Sequence, residues 1–274
     1  VSSGSQVLNS NTVEEDAEVA AALRAQHDVV VDYVNSVVGT SLAAMSGARA
    51  MVEDSAIMDF VHRVQAETVK KALTGADAAL PVLSISAPFS RSAMIPEGEV
   101  TVRDIAGLYI YDNTLFGVKM TGKQIKDYLE FSARYFKTVT STTATIAELT
   151  QAVTDTAPNG TPDYNYDMIG GLDARFAYDI DVAQPVGSRI KNVTYDGAAV
   201  TDDQMFVLAI NNYRQSGGGS FPHAATAPTV TVPYYEIRQL LIDWVAAEGT
   251  IDPAQFASVD WRLVANGEPI TITG

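Results

Sequence analysis

The run Met205-Phe206-Val207-Leu208-Ala209-Ile210 constrains this chain more than any other stretch. Six apolar residues without polar alternation read as a strand buried on both faces. Such a strand belongs inside a sheet. It leads directly into Asn211-Asn212-Tyr213-Arg214-Gln215-Ser216-Gly217-Gly218-Gly219-Ser220-Phe221-Pro222. Glycine permits positive φ and close approach to main-chain N–H groups. Tyr213 at the mouth of the loop offers a flat apolar face with a polar tip. Two readings fit: a wall for a planar ring beside a backbone cradle, or a glycine-rich turn over a core tyrosine.

The other elements follow from periodicity. Thr12 with Glu15 three residues on predicts a capped helix start, and Val19, Leu23, Val30, Val34 and Val37 carry the helical spacing to Gly39. Asp54-Ser55 opens a second helix to about Leu73, with His62 and Gln65 on one of its faces. Residues 80–86 read as a buried strand, and residues 87–91 as the loop leaving it, with Arg91 as the anion-binding candidate. Leu108-Tyr109-Ile110-Tyr111 alternates and predicts a strand with both tyrosines on one face. Residues 114–120 predict the next strand and 123–135 a helix. Residues 138–162 read as an irregular insertion with a helical piece near 146–153. Strands are expected at 175–182, 190–195 and 261–264, with a helix at 234–247. There is no regular βαβ alternation and no fixed-period repeat, which gives an α+β class with a mixed sheet.

Charge narrows the partners. With 33 acidic and 18 basic residues the net charge is −15, which argues against a nucleic-acid duplex or an anionic membrane surface. No apolar run approaches the ~18 residues that span a bilayer. There is no cysteine, hence no disulfide or thiolate metal site. His27, His62 and His223 are far apart, and neither HExxH nor GxSxG occurs. No catalytic metal or cofactor is expected in this chain.

Several blocks, in order, resemble a known family. They are residues 54–65, 80–89, the run Leu108-Tyr109-Ile110-Tyr111-Asp112-Asn113-Thr114-Leu115, Tyr164-Asn165-Tyr166-Asp167-Met168-Ile169, residues 178–185, and Asn211-Asn212-Tyr213-Arg214. Together they resemble the C-terminal domain of bacterial 2′,3′-cyclic-nucleotide 2′-phosphodiesterase/3′-nucleotidases, within the 5′-nucleotidase family. His62 stands where the family's helix has an asparagine. The resemblance implies a layered α/β/β/α-type domain that binds substrate by clamping the base between two aromatic rings. By matching motif the clamp is Tyr111 and Tyr213, and Asn113 meets the base edge. Gly171 and the Gly217, Gly218 and Gly219 loop line the base and ribose pocket, and Arg91 meets ribose or phosphate. The family's two-metal phosphoesterase centre lies in an N-terminal domain that this sequence lacks, so divalent metals are implied there and not here.

The expected organisation is a disordered end at 1–10, a helix at 11–39 linking to the metallophosphoesterase domain, a nucleotide-binding domain at 40–266 and a tail at 267–274. The expected function is recognition of 2′,3′-cyclic or 3′-nucleotides for an extracellular, periplasmic or cell-wall-anchored hydrolase, the isolated chain being inactive. The alternative is a binding or structural module that keeps the fold without the ligand. A third reading, an enzyme with its own site, requires phosphatase activity from this chain alone.

Overall fold

A computed structural model describes residues 3–153, 159–172 and 175–274. The chain forms two units, Val1–Ser36 and Val37–Gly274. In the first, Asp16 caps the helix Ala17–Val34 by accepting the N–H groups of Glu18 and Val19. The start expected at Thr12 is instead a short 3-10 turn, Ser10–Thr12. A carboxylate that satisfies two orphan donors and complements the helix dipole sets the start at Asp16 instead. None of the helix residues is buried. Val37 belongs to the second unit, in the strand Val37–Ser41, which pairs with Gly98–Thr101.

In the second unit, Met205–Asn211 is the middle strand of a five-stranded sheet. Its neighbours are Leu115–Thr121, antiparallel through seven consecutive residue pairs, and Val82–Ser86, parallel. Met168–Gly171 adds antiparallel beyond Val82–Ser86, and Thr229–Val230 beyond Leu115–Thr121. Phe206 through Ile210 are fully buried, as a continuous apolar run requires.

Directly opposed residues share a sheet face. Gly117 opposes Ala209, and a Cβ on Gly117 would lie 3.2 Å from Cγ1 of Val69. That face is therefore covered by the helix Ala56–Ala72, which buries Ile57, Phe60, Val61, Val64 and Val69. The other face turns Phe206 toward Phe176 and Tyr195, with ring centroids 6.4 and 5.5 Å away. These two belong to a second five-stranded sheet built on Phe176–Asp181, Ile190–Tyr195 and Trp261–Ala265. The result is the expected layered α+β fold with mixed sheets.

Three local expectations change. Residues 108–111 are not a strand: Thr101 and Asp104 form a capping box that nucleates the helix Val102–Leu108. Leu108 and Tyr109 are both buried while Ile110 is exposed, so the sequence alternation does not map onto two faces. The helical piece in the insertion is only Ile146–Leu149, because Thr150 pairs with Phe136; residues 154–158 of that insertion lie outside the described residues. Within the segment read as a tail, Thr271–Thr273 pairs parallel with Thr143–Thr145.

One junction is electrostatically costly. Oxygens of Asp54, Asp59 and Asp260 lie within 4.8 Å of one another where the Ala56–Ala72 helix meets the Trp261–Ala265 strand. Burial, then the neighbouring carboxylates, pushes Asp54 up to about 7 and Asp59 up to about 9. The folded state therefore binds these protons more tightly than the unfolded chain, whose carboxyls titrate near ~3.9. The cluster's contribution to stability is intact below that value and is lost as pH rises through the folded values, at up to about 1.4 kcal/mol per pH unit for each proton released. Asp59→Asn keeps an acceptor for Ser258 N–H and removes one charge. The variant is expected to unfold at a higher temperature than wild type at pH 8, with the gain vanishing near pH 4; a variant equally or less stable at pH 8 contradicts the assignment.

Candidate functional site

The antiparallel register pairs Leu115 with Asn211, so one strand begins and its neighbour ends at the same sheet edge. Val82–Ser86 runs parallel to Met205–Asn211 and ends there too, and Met168, the partner of Ser86, begins there. An aromatic residue that reaches the surface stands a few positions from each of these strand ends: Phe89 after Ser86, Tyr111 before Leu115, Tyr164 before Met168, and Tyr213 after Asn211. All four line one cavity of about 390 Å³, together with Asn113, Asn211 and Arg214.

The loop bearing Tyr111 is fixed from its backbone. Arg238 donates to the carbonyls of Tyr109 (2.9 Å) and Ile110 (3.1 Å) and pairs with Asp112 at 2.7 Å. Ile237 N–H donates to the Asn113 carbonyl at 2.9 Å. The Thr114 N–H donates to Oδ1 of Asn212 at 3.0 Å, and the Asn212 N–H returns a bond to the Thr114 carbonyl at 2.9 Å. The loops that carry the two predicted clamp residues are thus joined to each other. The Tyr111 ring meets Phe89 edge to face at 5.2 Å and Tyr164 at 6.3 Å. Tyr109 is buried, its ring edge-on to Phe89 at 4.9 Å, and its hydroxyl accepts from Nδ2 of Asn113 at 3.4 Å. Burial pushes the Tyr109 hydroxyl up to about 12, so it stays neutral beside the cavity.

Tyr213 sits on a single helical turn, Asn212–Gln215, capped by Oδ1 of Asn211, which accepts the Arg214 N–H at 2.8 Å. The glycines explain how its ring is seated. A Cβ on Gly218 would stand 2.5 to 2.6 Å from three carbons of the Tyr213 ring. Gly219 has φ +73°, and a Cβ there would meet Nη1 of Arg214 at 2.5 Å and Oδ1 of Asn165 at 2.6 Å. Gly217, also left-handed, turns the chain into this packing.

The structure brings Tyr111, Asn113 and Tyr213 together, and both tyrosines are about two-fifths exposed, at 39% and 45%. The glycine loop lies behind the Tyr213 ring and not among the lining residues. Gly171 is placed elsewhere: it pairs with Leu83, three residues from the site edge, and borders a separate cavity with Lys70 and Leu80. Arg91 is outside the lining as well. It forms a two-pronged ion pair with Asp163, at 2.6 and 2.9 Å, which holds its pKa above the ordinary arginine value. Phe89, Tyr164 and the Arg214–Asp167 ion pair were not anticipated as parts of the site. The ion pair is almost fully buried, with Nε of Arg214 2.6 Å from Oδ2 of Asp167.

Among the described residues, no donor set fits the family's two-metal chemistry. Among the described residues, the one His/Asp/Glu group with ligand spacing is Asp54, Asp59 and Asp260. Their oxygens already accept N–H groups from Ser258, Asp260 and Trp261 and the hydroxyl of Ser258. His223 pairs with Asp127, and burial lowers His62 to about 3. Two ions about 3.5–4 Å apart with an open position do not fit that set.

Comparison with known proteins identifies the family. Residues 37–226 match the family model described as 5′-nucleotidase, C-terminal domain, and the chain belongs to that family. A 2′,3′-cyclic-nucleotide 2′-phosphodiesterase/3′-nucleotidase of Haemophilus influenzae is 32% identical over 281 residues, covering 94% of this chain and 41% of that protein. The trifunctional nucleotide phosphoesterase protein YfkN of Bacillus subtilis is 30% identical over 282 residues, covering 92% of this chain and 18% of that protein. The chain thus spans less than half the length of these curated relatives. The solved 5′-nucleotidase precursor of Thermus thermophilus shares the fold, with a TM-score of 0.67 at 17% identity over 94% of this chain and 45% of that one.

Gly219→Ala is expected to cost about 1–3 kcal/mol more than Gly187→Ala. Both positions have positive φ, but a Cβ at Gly187 meets nothing within 4 Å. Urea unfolding measures the difference; equal costs mean that Arg214 and Asn165 give way freely.

Proposed function

We propose that this chain recognises nucleosides and nucleotides for a phosphohydrolase of the 2′,3′-cyclic-nucleotide 2′-phosphodiesterase/3′-nucleotidase kind, holding the base between Tyr111 and Tyr213. The observation that carries the reading is the meeting of those two exposed rings with Asn113 in one cavity of about 390 Å³, within the ~300–1,000 Å³ range of small-molecule sites. Aromatic walls with a few polar groups suit a flat heterocycle with hydrogen-bonding edges. Stacking on an aromatic face contributes about 1–3 kcal/mol per base and accepts different bases. The amide of Asn113, resting on Tyr109, supplies a donor and an acceptor for the base edge.

The names of the relatives supply the substrate class: 2′,3′-cyclic and 3′-nucleotides. In this reading the chain supplies binding and orientation. A metallophosphoesterase domain of the same parent would supply divalent ions and with them the Lewis-acid chemistry of phosphoryl hydrolysis. Arg91 serves the phosphate end only if the anion displaces Asp163, and Gly171 has no part in the base site. The glycine loop serves it indirectly, by seating Tyr213. No helix of the described residues is long and apolar enough to cross a membrane, and an exported or surface location for the parent belongs to the same reading.

Tyr111→Ala and Tyr213→Ala are each expected to weaken adenosine binding by about 1–3 kcal/mol in calorimetric titration, with unfolding transitions close to wild type. Tyr109→Ala, which empties a buried aromatic position, is expected to cost the fold about 3 kcal/mol or more. A wild-type chain that binds neither adenosine nor 3′-AMP at millimolar concentration would leave a module that keeps the fold without the ligand.

A further inference from the structure

We infer that Arg214 and Asp167 form a positioning pair, which sets the spacing and orientation of the Tyr164 and Tyr213 walls before a ligand arrives. The inference rests on the nucleoside reading of the cavity and adds to it the element that pre-organises the site.

A guanidinium has five N–H donors in a rigid fork, and each donor of Arg214 meets an acceptor. Nε and Nη2 reach the two Asp167 oxygens at 2.6 and 2.9 Å. Nη2 also donates to the Tyr164 carbonyl at 2.6 Å, and Nη1 donates to Oδ1 of Asn165 at 3.1 Å and to the Gly218 carbonyl at 3.2 Å. The Phe221 ring lies 4.2 Å below the guanidinium carbon and the Tyr213 ring 5.2 Å away. Asp167 also accepts the Tyr128 hydroxyl, and its carbonyl accepts from Ser132 at 2.6 Å, which fastens the pair to the helix Gly122–Ser132.

One buried cation therefore holds the backbone of one wall at Tyr164. It also holds the loop carbonyl at Gly218, on which the Tyr213 ring rests. Tyr164 and Tyr213 are 41% and 45% exposed, so little else confines the rings from the solvent side. Arg214 borders the cavity, yet with all five donors engaged and its charge met by Asp167 it is poorly placed to bind an anion. Burial works against its charge, and the Asp167 carboxylate overrides this and raises its pKa, so the guanidinium stays charged. A role in positioning and a role as phosphate ligand then predict different losses. Loosening the walls weakens any nucleoside to the same degree. Losing a phosphate ligand weakens only the nucleotide.

Breaking a buried pair by removing one partner strongly destabilises a fold, whereas replacing both by apolar residues of similar size is often tolerated. The primary test is therefore the double variant Asp167→Leu/Arg214→Met, with Arg214→Lys as a second variant that keeps the charge but not the fork. Binding of adenosine and of 3′-AMP is measured by calorimetry, alongside the ¹⁹F NMR line shape of 3-fluorotyrosine placed at position 164 or 213. The expected result is a loss of about tenfold for both ligands by the same factor in either variant, and narrow single ¹⁹F lines in wild type that broaden or split in the variants. Unchanged affinity in both variants, wild-type affinity in the lysine variant, or a loss confined to 3′-AMP overturns the positioning role. If the wild type binds neither ligand, the nucleoside reading fails, and the ¹⁹F lines alone decide the pair: lines as narrow in the variants as in wild type overturn it. If the double variant does not fold, the lysine variant carries both readouts.

Discussion

The site depends on the register between Leu115–Thr121 and Met205–Asn211. Seven consecutive antiparallel pairs fix which ends meet, and a slip of one residue would turn every side chain to the opposite face. With Phe206 facing one layer and Ala209 the other, such a slip would drive large side chains into the space above Gly117, where Val69 and Val230 already lie. The register is therefore held by core packing along the whole strand. Its consequence at one end is local: Tyr111 and Tyr213, about a hundred residues apart, arrive at the same edge.

Polar side chains tie the loops at that edge together. Asn212 and Thr114 exchange hydrogen bonds between the two loops, Arg238 holds two carbonyls beneath Tyr111, and Arg214 holds Tyr164 and the glycine loop. The rings themselves remain partly exposed, so these polar contacts fix the backbone and leave aromatic faces available. This is the opposite of a core tyrosine, of which Tyr109 is the nearby example, buried with its hydroxyl bonded to Asn113.

Much of this was legible in the sequence. The unbroken apolar run of Met205 to Ile210 marked a central strand, and the Tyr-Asp-Asn and Asn-Asn-Tyr-Arg blocks marked both predicted clamp residues. Other parts depended on long-range pairing that periodicity does not carry. Residues 108–111 alternate like a strand, but the capping box at Thr101 and Asp104 claims Leu108 for a helix. Phe89 and Tyr164 joined the cavity because Ser86 and Met168 are partners at the same sheet edge, which only the strand order reveals. Gly171 was expected at the site from the family resemblance alone, while its pairing with Leu83 places it three residues from that strand end. Arg91 looked free because its partner Asp163 lies 72 residues on. A usable signal was present: aromatic residues two to four positions from the ends of buried strands, on loops that share an edge.

If Tyr111 and Tyr213 form the clamp, a base occupies the space between them. This is tested most directly by NMR on the complex with 3′-AMP, reading intermolecular nuclear Overhauser contacts from the adenine H2 and H8 protons. Contacts to ring protons of both tyrosines are expected in the same saturable complex. Saturable binding with adenine contacts to neither ring, or to only one, would contradict it.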